Sequence, residues 1–190
     1  MIHIWETALE PEHHDMAAAL TTLGLAYKEE SKFADAEAAL RRVLSICEKS
    51  LKPEHPCVGS TLNNLALVQL AQHKYHEAES LYRRALLIKE KASGPEHPEV
   101  FKTLSGLAYA YLMQGRYSDA EAVYLRALSL GERVLGPAHP DVVLAFKIMP
   151  SCCEKRTGRT KHAKLRRGCA SYGLSLTNRI RGDWKSIGGT

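Results

Sequence analysis

The 190-residue chain has no apolar run long enough to cross a bilayer, which takes about 20 consecutive apolar residues. Its first residues, "MIHIWETALE", lack a basic leader followed by an apolar stretch and a small-residue cleavage site, so no secretory signal is read there. Cysteine is scarce, with five residues, an odd number at irregular spacing. That speaks against a disulfide framework and makes a reducing compartment, the cytoplasm, the expectation. The patterns that carry chemistry are missing as well. No nucleophile–base set, glycine-rich phosphate loop or cleft of paired carboxylates stands in the sequence, and nothing in it points to an enzyme or a cofactor. Hydrophobic residues make up 45% and charged ones 25%, a globular profile with room for one domain or a short repeat array.

The formal net charge of +5 hides an asymmetry. Residues 1–146 carry 15 Lys and Arg against 19 Asp and Glu, whereas residues 147–190 carry 11 against 2. A mildly acidic body is followed by a basic tail, and the two need separate readings.

The body is periodic. "PEHHDM" at Pro11 returns as "PEHPCV" at Pro53, "PEHPEV" at Pro95 and "PAHPDV" at Pro137, 42 residues apart each time. The stretches beginning at Leu20, Leu62 and Leu104 align without insertion. A fixed period in this range marks a stack of supersecondary units. Each unit reads as two helices. In the second unit Val58, Leu62, Leu65, Ala66 and Leu70 follow helical spacing, and so do Ala78, Leu81, Tyr82, Ala85 and Ile88. Small residues recur where helices approach closely (Gly24, Ala66, Ala108; Ala36, Ala78, Ala120) and large ones where gaps need filling (Phe33, Tyr75, Tyr117; Leu40, Tyr82, Tyr124).

The Pro-x-His-Pro phrase is punctuation. Its first proline stops one helix, and its second, at Pro56, Pro98 and Pro140, suits the first turn of the next. Glu99 and Asp141 follow it, where the helix start favours acidic groups. His13, His55, His97 and His139 recur once per turn, and no turn supplies a cluster of metal-ligand spacing. They read as turn histidines hydrogen-bonded to local backbone.

Leu65-Ala66, Tyr75, Ala78, Tyr82 and Ala85, with their counterparts one period away, resemble the tetratricopeptide repeat (TPR). The 42-residue spacing, "NNLA", "LYRRAL" and "GPEHPEV" resemble its longer variety, found in kinesin light chains and nephrocystin-like proteins. The resemblance implies an all-α, right-handed superhelix of helix pairs, a cytoplasmic location and a concave face that binds a peptide of a protein partner. It covers residues 1–146, divided as repeats 11–52, 53–94 and 95–136, with partial units at 1–10 and 137–149. Met1 aligns with the inside of a second helix, which reads as a fragment or a shortened form. Pro150 falls on the Gly24 position, so one short helix, at about Asp141 to Ile148, is expected to cap the last face.

The first helix of each unit lines the concave surface in this family. Its exposed stripe maps onto Thr21, Thr22, Leu25, Lys28 and Glu29; Asn63, Asn64, Leu67 and Leu70; and Lys102, Ser105, Tyr109 and Leu112. Asn63 and Asn64 donate and accept, which suits a peptide backbone. Leu67, Leu70, Tyr109 and Leu112 supply an apolar floor for one or two anchors. The equal alternative for Leu67 and Tyr109 is burial between helices. Of the five groups that clamp a C-terminal carboxylate in chaperone-binding relatives, Asn64 and Lys102 match, and Thr21, Leu25 and Gly106 do not. Kinesin light chains take acidic peptides with an aromatic anchor through a basic groove. Here the cations are Lys28 and Lys102, with Glu29 against them.

Arg41-Arg42, Arg83-Arg84 and Arg126 on the second helices suggest a basic ladder for nucleic acid. Glu37 and Glu79 precede Arg41 and Arg83 by four, the spacing of a solvated helix face, and that reading is preferred. The tail, 150–190, loses the period and is rich in Gly, Ser, Thr, Arg and Lys, which favours a flexible segment. Cys152, Cys153, His162 and Cys169 match no common zinc spacing. Arg181-Gly182-Asp183 copies an adhesion tripeptide by chance. The Lys155 to Arg167 cluster suits nucleic acid or anionic membrane as an alternative function; the abrupt loss of register favours an alternative reading of the gene's end. The sequence thus points to a non-enzymatic adaptor that docks a peptide in the concave face of a TPR solenoid.

Overall fold

The computed structural model describes residues 14–145. Six helices follow one another: α1 (His14–Glu29), α2 (Phe33–Ser50), α3 (Pro56–Ala71), α4 (Tyr75–Ser93), α5 (Pro98–Met113) and α6 (Tyr117–Val134). A further helical stretch, α7, spans residues 140–145. The first helices start at 14, 56 and 98 and the second at 33, 75 and 117, so the period of the sequence is the period of the chain in space. Each first helix packs against its mate, and each pair packs on the next. Across the array, α1 also touches α3 and α3 touches α5. First helices therefore crowd the inner side of the curve, as in a TPR superhelix. The partial unit at 1–10 and the tail at 150–190 lie outside the described residues.

Packing follows the alternation of small and large residues. Ala36, Ala78 and Ala120 are fully buried, as are Leu40, Tyr82 and Tyr124 beside them. Gly24, Ala66 and Ala108 are buried one helix away. The large residues fill what the small ones leave open, so adjacent helices pack closely.

Two kinds of turn set the geometry. Within a unit, the N–H of Lys32, Lys74 and Arg116 donates back to the carbonyl of Tyr27, Gln69 and Tyr111, and that of Ser31, His73 and Gly115 to Lys28, Leu70 and Leu112. This pair of bonds is a Schellman closure, which needs a left-handed residue in the middle. Gly115 takes it at φ 77°, Ser31 at φ 59° and His73 at φ 61°. Between units, the histidines cap the next helix. Nδ1 of His55, His97 and His139 accepts the backbone N–H of Cys57, Glu99 and Asp141, each at 3.2 Å. Local backbone capping is thus what these turn histidines do.

One expectation from the sequence is corrected. Cys47 and Cys57 are joined as a disulfide, with Cα atoms 6.2 Å apart. The odd, irregular cysteine spacing concealed this pair because the adjacency is made by the inter-unit turn, which returns α3 against the end of α2. The same two positions one period later hold Lys89 and Glu99, whose Nζ and Oε2 lie 3.1 Å apart. A further period on they hold Gly131 and Asp141. At Gly131 a Cβ would stand 2.8 Å from Phe101 Cε2 and from Val142 Cγ2. The same crossing is therefore fastened by a covalent bond, then by an ion pair, then by close packing alone.

Candidate binding groove

On the inner side, α3, α5 and α7 enclose a hollow of about 470 Å³. Its α3 wall is Leu67 and Leu70, its α5 wall Lys102, Ser105 and Tyr109, and its far wall Asp141 and Leu144. Phe101, Tyr124 and Ala145 close the bottom, and Gly106 lies between the walls. Leu67 and Tyr109 are each 36% exposed and Leu144 57%. Three large apolar side chains thus remain open to solvent around one depression, a grouping that marks an interaction site more than scattered exposure does.

Gly106 is dictated by what lies beneath it. A Cβ there would stand 2.4 Å from Tyr82 Cζ and 2.6 Å from its hydroxyl oxygen. Burial pushes the Tyr82 phenol's pKa up, and its hydroxyl has no hydrogen-bond partner among the described residues. The Ser105 hydroxyl is likewise buried and unpartnered among the described residues. At the rim, Glu99 Oε1 takes Lys102 Nζ at 2.9 Å while its other oxygen holds Lys89. Burial works to raise the Glu99 carboxyl's pKa, but the hydrogen bonds from Lys102 and Lys89 outweigh it and hold it below the usual carboxylate range. The hydrogen bond to Glu99 raises Lys102 in turn. Lys89, 4% exposed, is lowered by burial, partly offset by Glu99.

Of the residues read from the sequence as peptide-binding, Leu67, Leu70, Lys102 and Tyr109 come together in this hollow, with Ser105 beside them. Leu112 does not: it is 7% exposed and packs in the core with Tyr111 and Ala110. Asn63 accepts from the Thr103 hydroxyl at 3.1 Å, which braces α3 against α5. Asn64 is half-buried beside the hollow without lining it. On α1, the Thr22 hydroxyl donates to the Ala18 carbonyl, Thr21 donates to Ala17, Leu25 is half-buried, and Lys28 pairs with Glu29 at 2.8 Å. None of these α1 residues borders the hollow. Sequence reasoning missed Gly106, Asp141 and Leu144 as wall residues. The period carried the signal: they stand one repeat after Asn64, Glu99 and Lys102.

Four arginines of the second helices are matched by carboxylates, while Arg42 reaches the Met16 sulfur. Arg41 pairs with Glu37 at 2.7 Å, Arg83 with Glu79 at 3.2 Å and Arg84 with Glu48 at 2.5 Å, and Arg126 is bonded to Glu90. Glu79 also accepts from Gln114 and Arg116 of the next unit, and Glu37 from Gln72, one period earlier. These are braces between neighbouring units on the outer face. In the groups that form them, the phosphate-binding reading has no surplus of cations.

Stacked helix pairs with a hollow inner face and charged outer braces define a helical repeat scaffold. A tetratricopeptide repeat family model matches residues 15–91 and again 57–133, well over half the chain. The chain belongs to the tetratricopeptide repeat family, a non-catalytic scaffold fold for protein–protein interaction. Two crystal structures of nearly identical TPR-like repeats, from a Podosopora anserina protein assigned to the kinesin light chains, superimpose with TM-scores of 0.74 and 0.72 at 22% identity. The matches cover 93% and 99% of this chain and 84% of each of those. BtubC (BKLC) from P. vanneervenii matches with a TM-score of 0.73 at 19% identity, over 87% of this chain and 65% of that one. Likeness at such identity establishes the fold. No curated protein matches the chain. Among the described residues, no helix is long and apolar enough to cross a membrane.

Proposed function

We propose that the chain is an adaptor of the kinesin-light-chain-like kind that holds a short peptide segment of a protein partner against its first helices. The observation that carries this reading is the hollow between α3, α5 and α7, where Leu67, Tyr109 and Leu144 stand exposed around an apolar floor. An apolar depression with a few polar groups at its edge is the form small binding sites take, and a side chain seated in it would be desolvated on several sides, as interface anchors are. The rival, nucleic-acid or anionic-membrane binding through residues 155–181, draws its support from sequence charge alone.

The test is binding of peptides selected from a displayed random library against the intact protein. The doubly substituted Asn64→Ala, Leu67→Glu protein should lose them while its far-ultraviolet circular dichroism stays helical. Equal binding by the variant and the parent would sink the groove reading.

A further inference from the structure

We infer that the hollow selects an uncharged segment carrying one bulky apolar anchor and discriminates against acidic segments. This rests on the groove reading above and goes on to the chemistry of the partner.

The first reason is charge. Helix α3, residues Pro56–Ala71, contains no charged residue at all. Helix α5 carries two, Glu99 and Lys102, both near its start and bonded to each other at 2.9 Å. Lys28 on the preceding first helix is bonded to Glu29. Lys102 shares Glu99 with Lys89 and also faces Asp141, so these two cations are matched by two carboxylates. The far wall adds Asp141, an exposed carboxylate at the mouth of the hollow. Among the described residues the lining holds one cation, Lys102, and one facing carboxylate, Asp141, so an incoming Asp or Glu finds no excess of positive charge, beside apolar walls that screen it poorly. A charge buried without a partner weakens a complex, so the hollow rewards a neutral occupant.

The second reason is the kind of surface offered. Leu67, Leu70, Tyr109 and Leu144 surround the space from three helices, with Gly106 between them. That geometry takes one large apolar side chain.

The experiment reads the composition and behaviour of peptides selected from a random nine-residue library on the intact protein. Uncharged sequences with a Leu, Met, Phe or Trp anchor should be enriched. Replacing that anchor by Ala should weaken binding about tenfold or more. Affinity should change less than about twofold between low and high salt, because no ion pair is made. An Asp placed beside the anchor should weaken binding, and Asp141→Asn should recover part of the loss. Enrichment of acidic peptides whose affinity falls steeply with salt, and which Leu67→Glu abolishes, would overturn the inference while leaving the groove reading standing. Peptides indifferent to both Leu67→Glu and Tyr109→Glu, in variants that keep their helical spectrum, would overturn the groove reading itself. A concentration-dependent dimer dissolved by Leu144→Glu would assign the hollow to a second copy of the chain and overturn the inference.

Discussion

At the scale of single residues, the array depends on positions where only one side chain fits. Gly106 is the sharpest, because a Cβ there would overlap the ring of Tyr82, itself fully buried. Gly106→Ala should destabilise the protein by about 1–3 kcal/mol, the usual cost of overpacking a filled core, and denaturant unfolding should show it. Tyr82→Leu in the same background should restore much of the loss, since the equivalent residue one repeat earlier is Leu40. The turn histidines act differently. His97 replaces one hydrogen bond that the start of α5 would otherwise lack, so His97→Ala should cost about 1 kcal/mol. His97→Asn, which caps by the same route, should recover most of it. A metal chelator should leave both melting curves unmoved if capping is the whole role.

At the scale of elements, stability lies in how one helix pair is fastened to the next. The crossing between α4 and α5 is held by Lys89 and Glu99, and the two partners are unequal. Lys89 is buried and bonded to Glu99, while Glu99 is half-buried and also bonded to Lys102. Removing the carboxylate strands a buried ammonium; removing the ammonium leaves a carboxylate that still has a partner. Glu99→Gln should therefore destabilise by about 1–3 kcal/mol, and Lys89→Met by clearly less. Equal losses in chemical denaturation would contradict that asymmetry. The corresponding crossing between α2 and α3 carries the Cys47–Cys57 bond. One structural need, met by different chemistry in successive units, explains why neither pair was recognisable as a motif within its own repeat.

At the scale of the whole molecule, the carboxylates that tie one unit to the next couple stability to pH. Burial works to raise the pKa of Glu37, Glu79 and Glu99, but in each the hydrogen bonds from basic and amide groups prevail and lower it. A carboxylate lowered on folding contributes stability that is complete above its unfolded pKa, about 4.3, and is lost as pH falls through the folded value. The melting temperature should be flat from pH 7 down to about pH 5 and fall below about pH 4. Glu79→Gln should lower the neutral plateau and flatten the acid limb, because its share of the proton linkage is gone. An acid limb as steep as the parent's would remove Glu79 from the account.

The sequence by itself determined the fold. The period, the alternation of small and large residues and the prolines that begin α3, α5 and α7 are local or repeat at fixed spacing, and each repeat is built to cover its neighbour's apolar stripe. It also placed Leu67, Leu70, Lys102 and Tyr109 on one face, because a helix turns every 3.6 residues. Only the tertiary structure decided that Leu112 turns inward, that Asn63 is engaged by Thr103, that Cys47 meets Cys57, and that α7 raises Asp141 and Leu144 into the third wall of the hollow. Those outcomes depend on the angle at which one helix pair meets the next, which is set by packing between units and cannot be read from the residues of any one of them.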